Sequence, residues 1–485
     1  MKQFLLIFIL FCLIFPAKAS ELNKNSNILD FISSIGIENA SVSIYVSESK
    51  TGKTLLASDP QLCITPASTL KLITSATALQ LSGSDYTFKT IIWTDGMISN
   101  GTLSGNLIIT GGGDPTLGSS LFNKNNEKKK FLSEWVHAIK IAGIDTITGN
   151  ITIDPFIFSD QDIPRTWIWE DIGNYYGAAA KGIALYDNTF EIIFNTSDTI
   201  GRKTEIVKYS PQIPDLTLKN EVISSSETRD NAYIFGSPYD NFRIIKGTLP
   251  TGKKGFSVKA SIPDPAKLLA YELKEMMKDS LINVAGSYEV KKQIDFDKID
   301  ESKKILEWKS PPLSEIIEKL NHESINLYAE HLLKHIGLTV KGKGTSADGI
   351  IAIKEFWTNR GVDTKTLFMA DGSGLSRFNA VTAKNLVDIL DYMYQKSPYY
   401  NVFLKSIPVS GQQGTQKNYF QDSFLKGKAH LKTGSMTRVR SFAGYMTTQS
   451  GNDVSVAIII NNYTGSSFEI KKLIEKFFES VYLKL

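Results

Sequence analysis

The chain has few of the residues that crosslink secreted proteins or bind metals, because its 485 residues include only two cysteines and five histidines. Cys12 lies in an apolar N-terminal stretch, so loss of that stretch would leave Cys63 alone and exclude an intramolecular disulfide. We interpret Cys63, in an apolar patch, as a buried small residue rather than a nucleophile. His331 and His335 could suggest zinc on a helix, but the H-E-x-x-H pattern and an evident third ligand are missing. We therefore predict neither a metal nor a cofactor.

A strong charge imbalance and a second long apolar run are also missing. A formal net charge of +4 argues against nucleic-acid binding and permits weak attraction to an acidic polymer such as cell wall. The apolar run at residues 4–15 follows Lys2, is short for a membrane span, and precedes a small-x-small cleavage pattern at residues 17–19. We predict that residues 1–19 are a cleaved signal peptide, with an uncleaved anchor as the alternative. The protein would then be exported, periplasmic or extracellular, with at most peripheral membrane association.

What the chain does contain is a Ser-x-x-Lys motif, Ser68-Thr69-Leu70-Lys71, at the start of a predicted helix that ends at Gly83. Residues three apart share a helix face, so the Ser68 hydroxyl and the Lys71 amine can meet. A serine hydroxyl needs a neighbouring base, and a neutral lysine can be that base. The charged form of Lys71 is also disfavoured at a helix N-terminus. A second match at residues 47–50 is hydrophilic and runs into a turn, so we interpret it as structural.

Two later tripeptides complete an ordered set: Ser324-Ile325-Asn326 fits Ser-x-Asn, and Lys432-Thr433-Gly434 fits Lys-Thr-Gly. Each pattern is degenerate, and other matches occur at residues 50–52, 104–106 and 450–452. Those matches lie at predicted turns, and the Lys-Thr-Gly match among them precedes Ser68. Only Ser68, Ser324 and Lys432 give the three motifs in order, each on a plausible element.

This ordered set resembles the signature of penicillin-binding proteins and serine β-lactamases. Further segments are similar to one subgroup, the class C low-molecular-mass penicillin-binding proteins, and lie at residues 111–115, 371–377, 408–415 and 442–445. The similarity extends over nearly all of the mature chain. It implies a serine-type D-Ala-D-Ala carboxypeptidase or endopeptidase that acts on peptidoglycan stem peptides. It also implies β-lactam antibiotics as covalent inhibitors.

Strand and helix patterns at both ends of the chain predict one α+β domain, an antiparallel sheet flanked by helices. A hairpin at residues 40–57 precedes the Ser68 helix, and three strands within residues 430–461 precede a C-terminal helix. With the resemblance, this indicates a β-lactamase/transpeptidase-like catalytic domain made of residues 20–89 and 259–485.

The middle of the chain is too long for a minimal enzyme of this kind. Its many short β-like runs, separated by turn residues, predict one or two inserted β-rich domains at residues 90–258. We expect a helix at residues 265–278 to return the chain to the catalytic domain. A composition with 42% hydrophobic and 21% charged residues is that of a globular protein, and the length favours two or more domains.

The predicted catalytic residues are Ser68, Lys71, Ser324 and Asn326. Ser68 would attack the substrate carbonyl while Lys71 takes its proton. Lys432 should lie close to Lys71 once the sheet packs beside the helix, and repulsion between the cations would help to keep Lys71 neutral. Ser324 would relay the proton to the leaving amine, and the Asn326 amide would hold the substrate backbone or Lys71.

The predicted substrate-binding residues follow one another on a strand. Lys432 and Thr433 would bind the terminal carboxylate of the substrate by charge-assisted hydrogen bonds. Gly434 would let the substrate approach the strand edge closely. Backbone N–H groups of Ser68 and Ser435 would form the oxyanion hole.

The predicted insertion contains an aromatic and acidic stretch, Trp167-Ile168-Trp169-Glu170-Asp171. It resembles a class C segment that reaches the active site, which implies that Glu170 or Asp171 contacts a substrate ammonium. We predict Asp171 as the substrate-binding residue, and the alternative is an aromatic core cluster with a solvated acidic pair. Ile325 stands where related proteins often have Asp, and it should face away from the chemistry.

The same sequence disfavours three other functions. A Ser-His-Asp hydrolase is disfavoured because no G-x-S-x-G elbow is found. A serine β-lactamase shares the three motifs, but the large insertion argues against it. A catalytically silent cell-wall binding protein of the same fold is disfavoured because every motif residue is retained. The choice between carboxypeptidase and endopeptidase action stays open.

Overall fold

The computed structural model describes residue 34 together with residues 36–123, 127–158, 161–292 and 300–485. The predicted signal peptide lies outside these residues and stays a prediction. Among the described residues, no helix combines the length and the apolar character needed to cross a membrane.

Strands and helices are numbered in chain order within the described residues. The strands are β1 (Ser41–Glu48), β2 (Thr54–Ser58), β3 (Lys89–Thr94), β4 (Met97–Ser99), β5 (Thr102–Ser104), β6 (Leu107–Thr110), β7 (Thr146–Ile147), β8 (Ile151–Asp154), β9 (Thr189–Asn195), β10 (Glu205–Ser210), β11 (Thr217–Ser225), β12 (Asn231–Phe235), β13 (Phe242–Pro250), β14 (Phe256–Ser261), β15 (Asn283–Val284), β16 (Tyr288–Val290), β17 (Lys304–Lys309), β18 (Ala429–Met436), β19 (Val439–Thr447) and β20 (Asp453–Asn461). The α-helices are α1 (Lys71–Ser82), α2 (Lys130–Ile141), α3 (Trp169–Ile172), α4 (Pro265–Asp279), α5 (Leu313–Glu323), α6 (Asn326–Lys341), α7 (Ser346–Thr358), α8 (Ala383–Lys396), α9 (Tyr400–Ser406) and α10 (Ser467–Lys484).

Both ends of the chain build one antiparallel sheet of five strands, in the order β18-β19-β20-β1-β2. Side chains alternate across it, so that on β20 Ile458 packs into a core with α10 while Ile459 packs into the core on the opposite face. We call the core that contains Ile459 the first core. It also contains residues of α1, α5, α6 and α8. Helices therefore cover both faces, and the predicted α+β architecture is confirmed.

The middle of the chain builds a separate second core from four further sheets, all of whose strands lie between β3 and β17. The helix predicted at residues 265–278 is present as α4. The prediction that it returns the chain to the catalytic domain was wrong. Its apolar side packs into the second core through Leu268, Leu269 and Leu273 rather than into the first. Strand β17 then pairs antiparallel with β3, so the chain leaves this part of the fold only after residue 309. We infer that the inserted region extends over residues 89–309 rather than 90–258.

The predicted helix at Ser68 is also present, with a difference at its start. Residues Ala67–Leu70 form one 3-10 turn, and the α-helix begins at Lys71 and ends where Gly83 adopts a positive φ of 83°. Its residues from Lys71 to Leu79 are buried, because α5, α6 and α8 pack against it, while the sheet packs against the preceding 3-10 turn. Ser68 is thereby held between the sheet and the helical layer.

Candidate active site

Ser68 lies in the 3-10 turn that runs directly into α1. The preceding residue, Ala67, has a φ of 47°, a left-handed conformation that is uncommon for a residue with a side chain. Because Ser68 and Lys71 are three residues apart on this continuous spiral, Lys71 Nζ reaches Ser68 Oγ at 2.9 Å. The contact predicted from the Ser-x-x-Lys spacing is therefore present.

Lys71 Nζ makes two further hydrogen bonds, to Asn326 Oδ1 at 2.6 Å and to the carbonyl oxygen of Ser373 at 2.6 Å. Both partners are carbonyl-type oxygens, which only accept. A neutral amine has two hydrogens and one lone pair, so its hydrogens satisfy these two oxygens. The charged amine donates its third hydrogen to Ser68 Oγ. In the neutral amine the lone pair would take this direction and would accept from the Ser68 hydroxyl. This geometry suits Lys71 as the base that receives the Ser68 proton.

Burial is the main cause of the unusual basicity of Lys71. Its side chain is fully buried, which lowers the pKa of Lys71 from 10.5 to about 7, although the Asp371 and Glu330 carboxyls act in the opposite direction. Burial and then repulsion from Lys71 hold the pKa of Lys432 well below its usual range. The two lysines are close enough for Lys71 to lower the pKa of Lys432, as predicted, but burial rather than repulsion from Lys432 lowers the pKa of Lys71.

The Ser-x-Asn motif forms the connection between α5 and α6. Ser324 ends α5 in a left-handed conformation with a φ of 59°, and Asn326 begins α6. The Ser324 hydroxyl oxygen accepts a hydrogen bond from Lys432 Nζ at 2.9 Å. Between the two polar residues, Ile325 packs against the first core, as its apolar character predicts. Ser324 and Asn326 are thus placed against two different lysines.

The Lys-Thr-Gly motif lies on β18, which is an edge strand of the central sheet. Lys432 also donates to the carbonyl oxygen of Thr433 at 3.0 Å, and the Thr433 hydroxyl donates to Thr415 Oγ1 at 2.8 Å. Ser435 is exposed at the end of this run. Residues 408–410 pair with the first half of this strand edge. An extended peptide would therefore meet the backbone of the second half, from Thr433 to Ser435.

Gly434 is required by close packing inside the protein, a reason that the sequence did not indicate. A Cβ atom there would lie 2.1 Å from Ser441 Oγ, 2.6 Å from the Pro66 carbonyl oxygen and 3.0 Å from the Ser68 nitrogen. The missing side chain therefore makes room for the chain segment that carries Ser68, while close approach of substrate at Gly434 stays a prediction. Glycine at this position lets β18 and the serine turn pack in direct contact.

A cleft of about 450 Å³ opens over these residues. Its lining includes six of the predicted site residues, namely Ser68, Asp171, Ser324, Asn326, Thr433 and Ser435. The remaining predicted residues, Lys71, Lys432 and Gly434, are buried beneath them. The sequence-predicted residues are thus gathered in one place, with the two lysines under the floor of the cleft.

Asp171 and Glu170 both lie in the wall of this cleft, on the short helix α3. Burial raises the pKa of the half-buried Asp171, while the Arg377 guanidinium and a hydrogen bond from Tyr176 partly offset that effect. Glu170 is exposed. The placement of this acidic pair agrees with the predicted contact to a substrate cation, with Asp171 the better shielded of the two.

Sequence reasoning missed several residues that hold the site together. Asp371 is fully buried and accepts hydrogen bonds from the backbone nitrogens of Gly374 and Ser376 and from Trp167 Nε1. Its neighbour Glu330 accepts from the backbone of the same loop. In the sequence, the segment 371–377 was identified only by its similarity to relatives. No pattern in it indicates that it surrounds a lysine from another helix.

The residues considered for other chemistry are structural. His331 Nδ1 contacts the Gly113 carbonyl oxygen at 2.9 Å, and burial lowers the pKa of His331 to about 3. Burial likewise lowers the pKa of His335 to about 4. Cys63 donates to the Thr366 carbonyl oxygen at 3.1 Å. Within the part of the chain that the structure describes, no three potential ligands are grouped so as to hold a metal ion.

Comparison with known proteins agrees with this arrangement. The chain is 26% identical over 462 residues to a D-alanyl-D-alanine carboxypeptidase of Actinomadura sp. (strain R39), a match that covers 93% of this chain and 82% of that relative. It is 26% identical over 412 residues to the D-alanyl-D-alanine carboxypeptidase DacB of Haemophilus influenzae, covering 84% of this chain and 82% of the relative.

The fold is also similar to a solved structure. The crystal structure of penicillin-binding protein 4 from Haemophilus influenzae superposes with a TM-score of 0.81 at 22% identity, covering 94% of this chain and 99% of that one. Fold and motif order together define a penicillin-binding protein of the class C low-molecular-mass type. The chain belongs to the D-Ala-D-Ala carboxypeptidase 3 (S13) family, whose model matches residues 25–479.

Proposed function

We propose that the protein is a serine-type D-Ala-D-Ala carboxypeptidase that acts on peptidoglycan stem peptides through an acyl-enzyme on Ser68. The observation that carries this proposal is the position of Lys71 Nζ, 2.9 Å from Ser68 Oγ, with both other contacts of the amine made to pure acceptors. The named activity of the relatives and the family to which the chain belongs support the same reaction.

In the first step Ser68 Oγ attacks the carbonyl carbon of the penultimate D-alanine, and Lys71 takes the hydroxyl proton. The carbonyl oxygen becomes an oxyanion that accepts from the backbone nitrogens of Ser68 and Ser435, and one such donor is worth roughly 10²–10³ in rate in other enzymes. Collapse of this intermediate breaks the peptide bond, leaves the acyl group on Ser68 and releases terminal D-alanine.

The leaving amine needs a proton, and the second serine–lysine pair lies where it can supply one. Ser324 donates to the amine and is itself reprotonated through Lys432, whose Nζ lies 2.9 Å from Ser324 Oγ. Lys432 and Thr433 also bind the terminal carboxylate, which favours the charged form of Lys432 in the complex. Lys71 then loses to solvent the proton that it took from Ser68, and Lys432 takes one up from solvent. Water attacks the acyl-enzyme with neutral Lys71 as base, and Lys71 passes the water proton to Ser68 Oγ as the acyl bond breaks.

Penicillins would enter the same route, since their strained amide presents a carbonyl to Ser68 and a carboxylate to Lys432 and Thr433. The slow step would then be hydrolysis of the acyl group. We also propose that the protein is exported to the periplasm or the cell exterior after cleavage of residues 1–19, because a peptidoglycan enzyme must reach its substrate there.

The test is covalent labelling with a fluorescent penicillin. The mature protein should bind one equivalent on Ser68, identified by mass spectrometry of the labelled peptide, and release it over minutes or longer. Ser68→Ala should remain unlabelled, and equal labelling of that variant would refute the assignment. Rapid sustained hydrolysis of a chromogenic cephalosporin would favour a β-lactamase instead. Digestion of purified peptidoglycan, with the products weighed, would distinguish loss of D-alanine from cleavage of crosslinks.

A further inference from the structure

We propose that the segment 166–177, which we call the bridging segment, contributes three residues to the proton-transfer machinery, because Thr166, Trp167 and the Tyr176 carbonyl fix the two oxygens that orient Lys71 towards Ser68. Within this segment Trp167 is a positioning residue, which acts on Lys71 through Asp371. The inference rests on the proposed function, since it concerns proton transfer during acylation. It gives the inserted region a role in the chemistry that is separate from contact with substrate.

The first oxygen is Oδ1 of Asn326, and its orientation depends on the backbone of the bridging segment. Asn326 Nδ2 donates to the carbonyl oxygen of Tyr176 at 2.8 Å, while Oδ1 accepts from Lys71 Nζ at 2.6 Å. A 180° turn of the amide would place its NH₂ against the Lys71 hydrogens and its oxygen against the Tyr176 carbonyl. Both new contacts would be repulsive, so Tyr176 determines which end of the amide faces Lys71.

The second oxygen is the Ser373 carbonyl, in a loop wound around the buried side chain of Asp371. Asp371 Oδ1 accepts from the Gly374 nitrogen at 2.8 Å, and Oδ2 accepts from the Ser376 nitrogen at 2.6 Å. Trp167 Nε1 donates to the same Oδ2 at 2.8 Å. The indole therefore fixes the carboxylate about which the loop is folded, and the loop in turn presents the Ser373 oxygen to Lys71.

The bridging segment and the loop make a second direct contact, and the loop also packs against the nucleophile. Ser376 Oγ donates to Thr166 Oγ1 at 2.7 Å. On the other side of the loop, a Cβ atom on Gly374 would lie only 2.0 Å from the carbonyl oxygen of Ala67, the residue before Ser68. A displaced loop would therefore disturb both the lysine and the serine.

Removal of the indole N–H should loosen this arrangement without removing any group that touches substrate. A buried carboxylate that loses one donor seeks another partner, and the loop around it shifts or admits water. Water near Lys71 would weaken the desolvation that lowers the Lys71 pKa, and a less neutralised Asp371 would act in the same direction. Both effects raise the pKa of Lys71, so the neutral base is reached only at higher pH.

The experiment is the substitution Trp167→Phe, followed by stopped-flow acylation with a chromogenic cephalosporin from pH 5 to pH 10. We expect the acylation rate constant to fall roughly 10- to 100-fold, as for a misplaced catalytic group, while the dissociation constant of the non-covalent complex stays close to the wild-type value. The rising part of the pH profile should move to higher pH. Thr166→Val removes the acceptor for Ser376. It should change the acylation rate constant and the pH profile in the same direction as Trp167→Phe, but by a smaller amount.

Trp169→Phe is the matched control, because Trp169 lies in the same segment, is 57% exposed and packs on Phe235. It should keep the wild-type rate constant and pH profile. The proposal would be overturned if folded Trp167→Phe protein had the wild-type acylation rate constant. It would also be overturned if that rate constant were lowered equally at every pH. If melting curves show that Trp167→Phe is unfolded, an unchanged rate and profile in Thr166→Val would overturn it instead. Failure of the wild-type protein to become acylated would refute the proposed function itself. This result is distinguishable from failure of the present proposal, because it needs no variant.

Discussion

Asn326 Oδ1 accepts a hydrogen bond from Lys71 Nζ at 2.6 Å, although the two residues lie 255 positions apart in the chain. An amide oxygen beside an amine accepts one of its hydrogens whether the amine is charged or neutral. The contact therefore orients Lys71 through the whole proton-transfer cycle, and does not bias it strongly towards either form. With the Ser373 carbonyl as a second fixed acceptor, the remaining direction of the amine is the one that faces Ser68.

The first prediction concerns pH. Burial lowers the pKa of Lys71 to about 7, and only the neutral amine can take the Ser68 proton. Acylation by a penicillin should therefore be slow at pH 5, rise through pH 7 and level off above it. The rate constant for labelling, measured at saturating penicillin, tests this. A profile that falls as pH rises through 7 would mean that charged Lys71 is the active form.

The second prediction separates the base from the charge of Lys71. Lys71→Arg keeps a cation but cannot lose a proton at working pH, because the guanidinium pKa exceeds 12. We expect Lys71→Arg and Lys71→Ala to lower acylation by about 10²–10⁴, the usual contribution of a general base. Circular dichroism should show that both variants are folded. Near-wild-type acylation by Lys71→Arg would show that Lys71 acts only by its charge.

The sequence motifs predicted the residues of the site far better than the contacts that surround them. Ser68 and Lys71 are local neighbours on one spiral, so their contact follows from spacing alone. The contacts of Lys71 with Asn326 and Ser373 depend on how separate helices and a loop pack, and spacing carries no information about that. The sequence analysis accordingly left the contact between Asn326 and Lys71 open as one of two alternatives, and it missed the contact between Ser373 and Lys71.

Errors about the inserted region have a similar cause. The periodicity of residues 265–278 correctly predicted an amphipathic helix, but an apolar stripe does not state which core will cover it. In the structure α4 faces the second core, and β17 follows it to pair with β3. For Gly434, the sequence predicted room for substrate, which stays a prediction, but did not indicate that Ser441 and the chain at Pro66 also need this space. Glycine indicates a close approach without identifying the approaching group.

The third prediction follows from that close approach. Gly434→Ala would place a methyl group 2.1 Å from Ser441 Oγ and 2.6 Å from the Pro66 carbonyl oxygen, so β18 and the Ser68 turn must separate. We expect a loss of about 1–3 kcal/mol in stability, typical of overpacking, together with strongly reduced acylation. Adding Ser441→Ala should recover part of both, because it removes the closest contact. An unaffected melting temperature in Gly434→Ala would contradict this account.

The fourth prediction concerns recognition of the substrate carboxylate. Lys432→Met removes a buried cation whose partner would be the terminal carboxylate, at a cost of about 2–5 kcal/mol in transition-state binding. Amidation of the terminal carboxylate of an acyl-D-Ala-D-Ala peptide should reduce kcat/KM of the wild-type enzyme heavily and that of Lys432→Met little further. The four kcat/KM values form a double-mutant cycle. Fully additive losses would show that Lys432 acts elsewhere, for example only on Ser324.

The last prediction concerns the acidic pair in the cleft wall. If Asp171 and Glu170 meet a cation on the stem peptide, the wild-type enzyme should prefer a peptide with a free side-chain amine over its acetylated form. The double change Glu170→Gln and Asp171→Asn should shrink that preference. Penicillin acylation should stay nearly constant, since penicillin presents no such amine to the cleft wall. Paired kcat/KM measurements on the two peptides, with labelling rates as the internal control, provide the test.

The size of the preference would also indicate how the pair works. An exposed ion pair contributes ~0–1 kcal/mol, whereas a desolvated one reaches several kcal/mol. Asp171 is half-buried, and burial already raises its pKa, so we expect the larger share of the preference from Asp171 and the smaller from exposed Glu170. The single variants should rank in that order. Equal use of both peptides by the wild-type enzyme would leave the pair structural, and the bridging segment would then act in the reaction only through Thr166, Trp167 and the Tyr176 carbonyl.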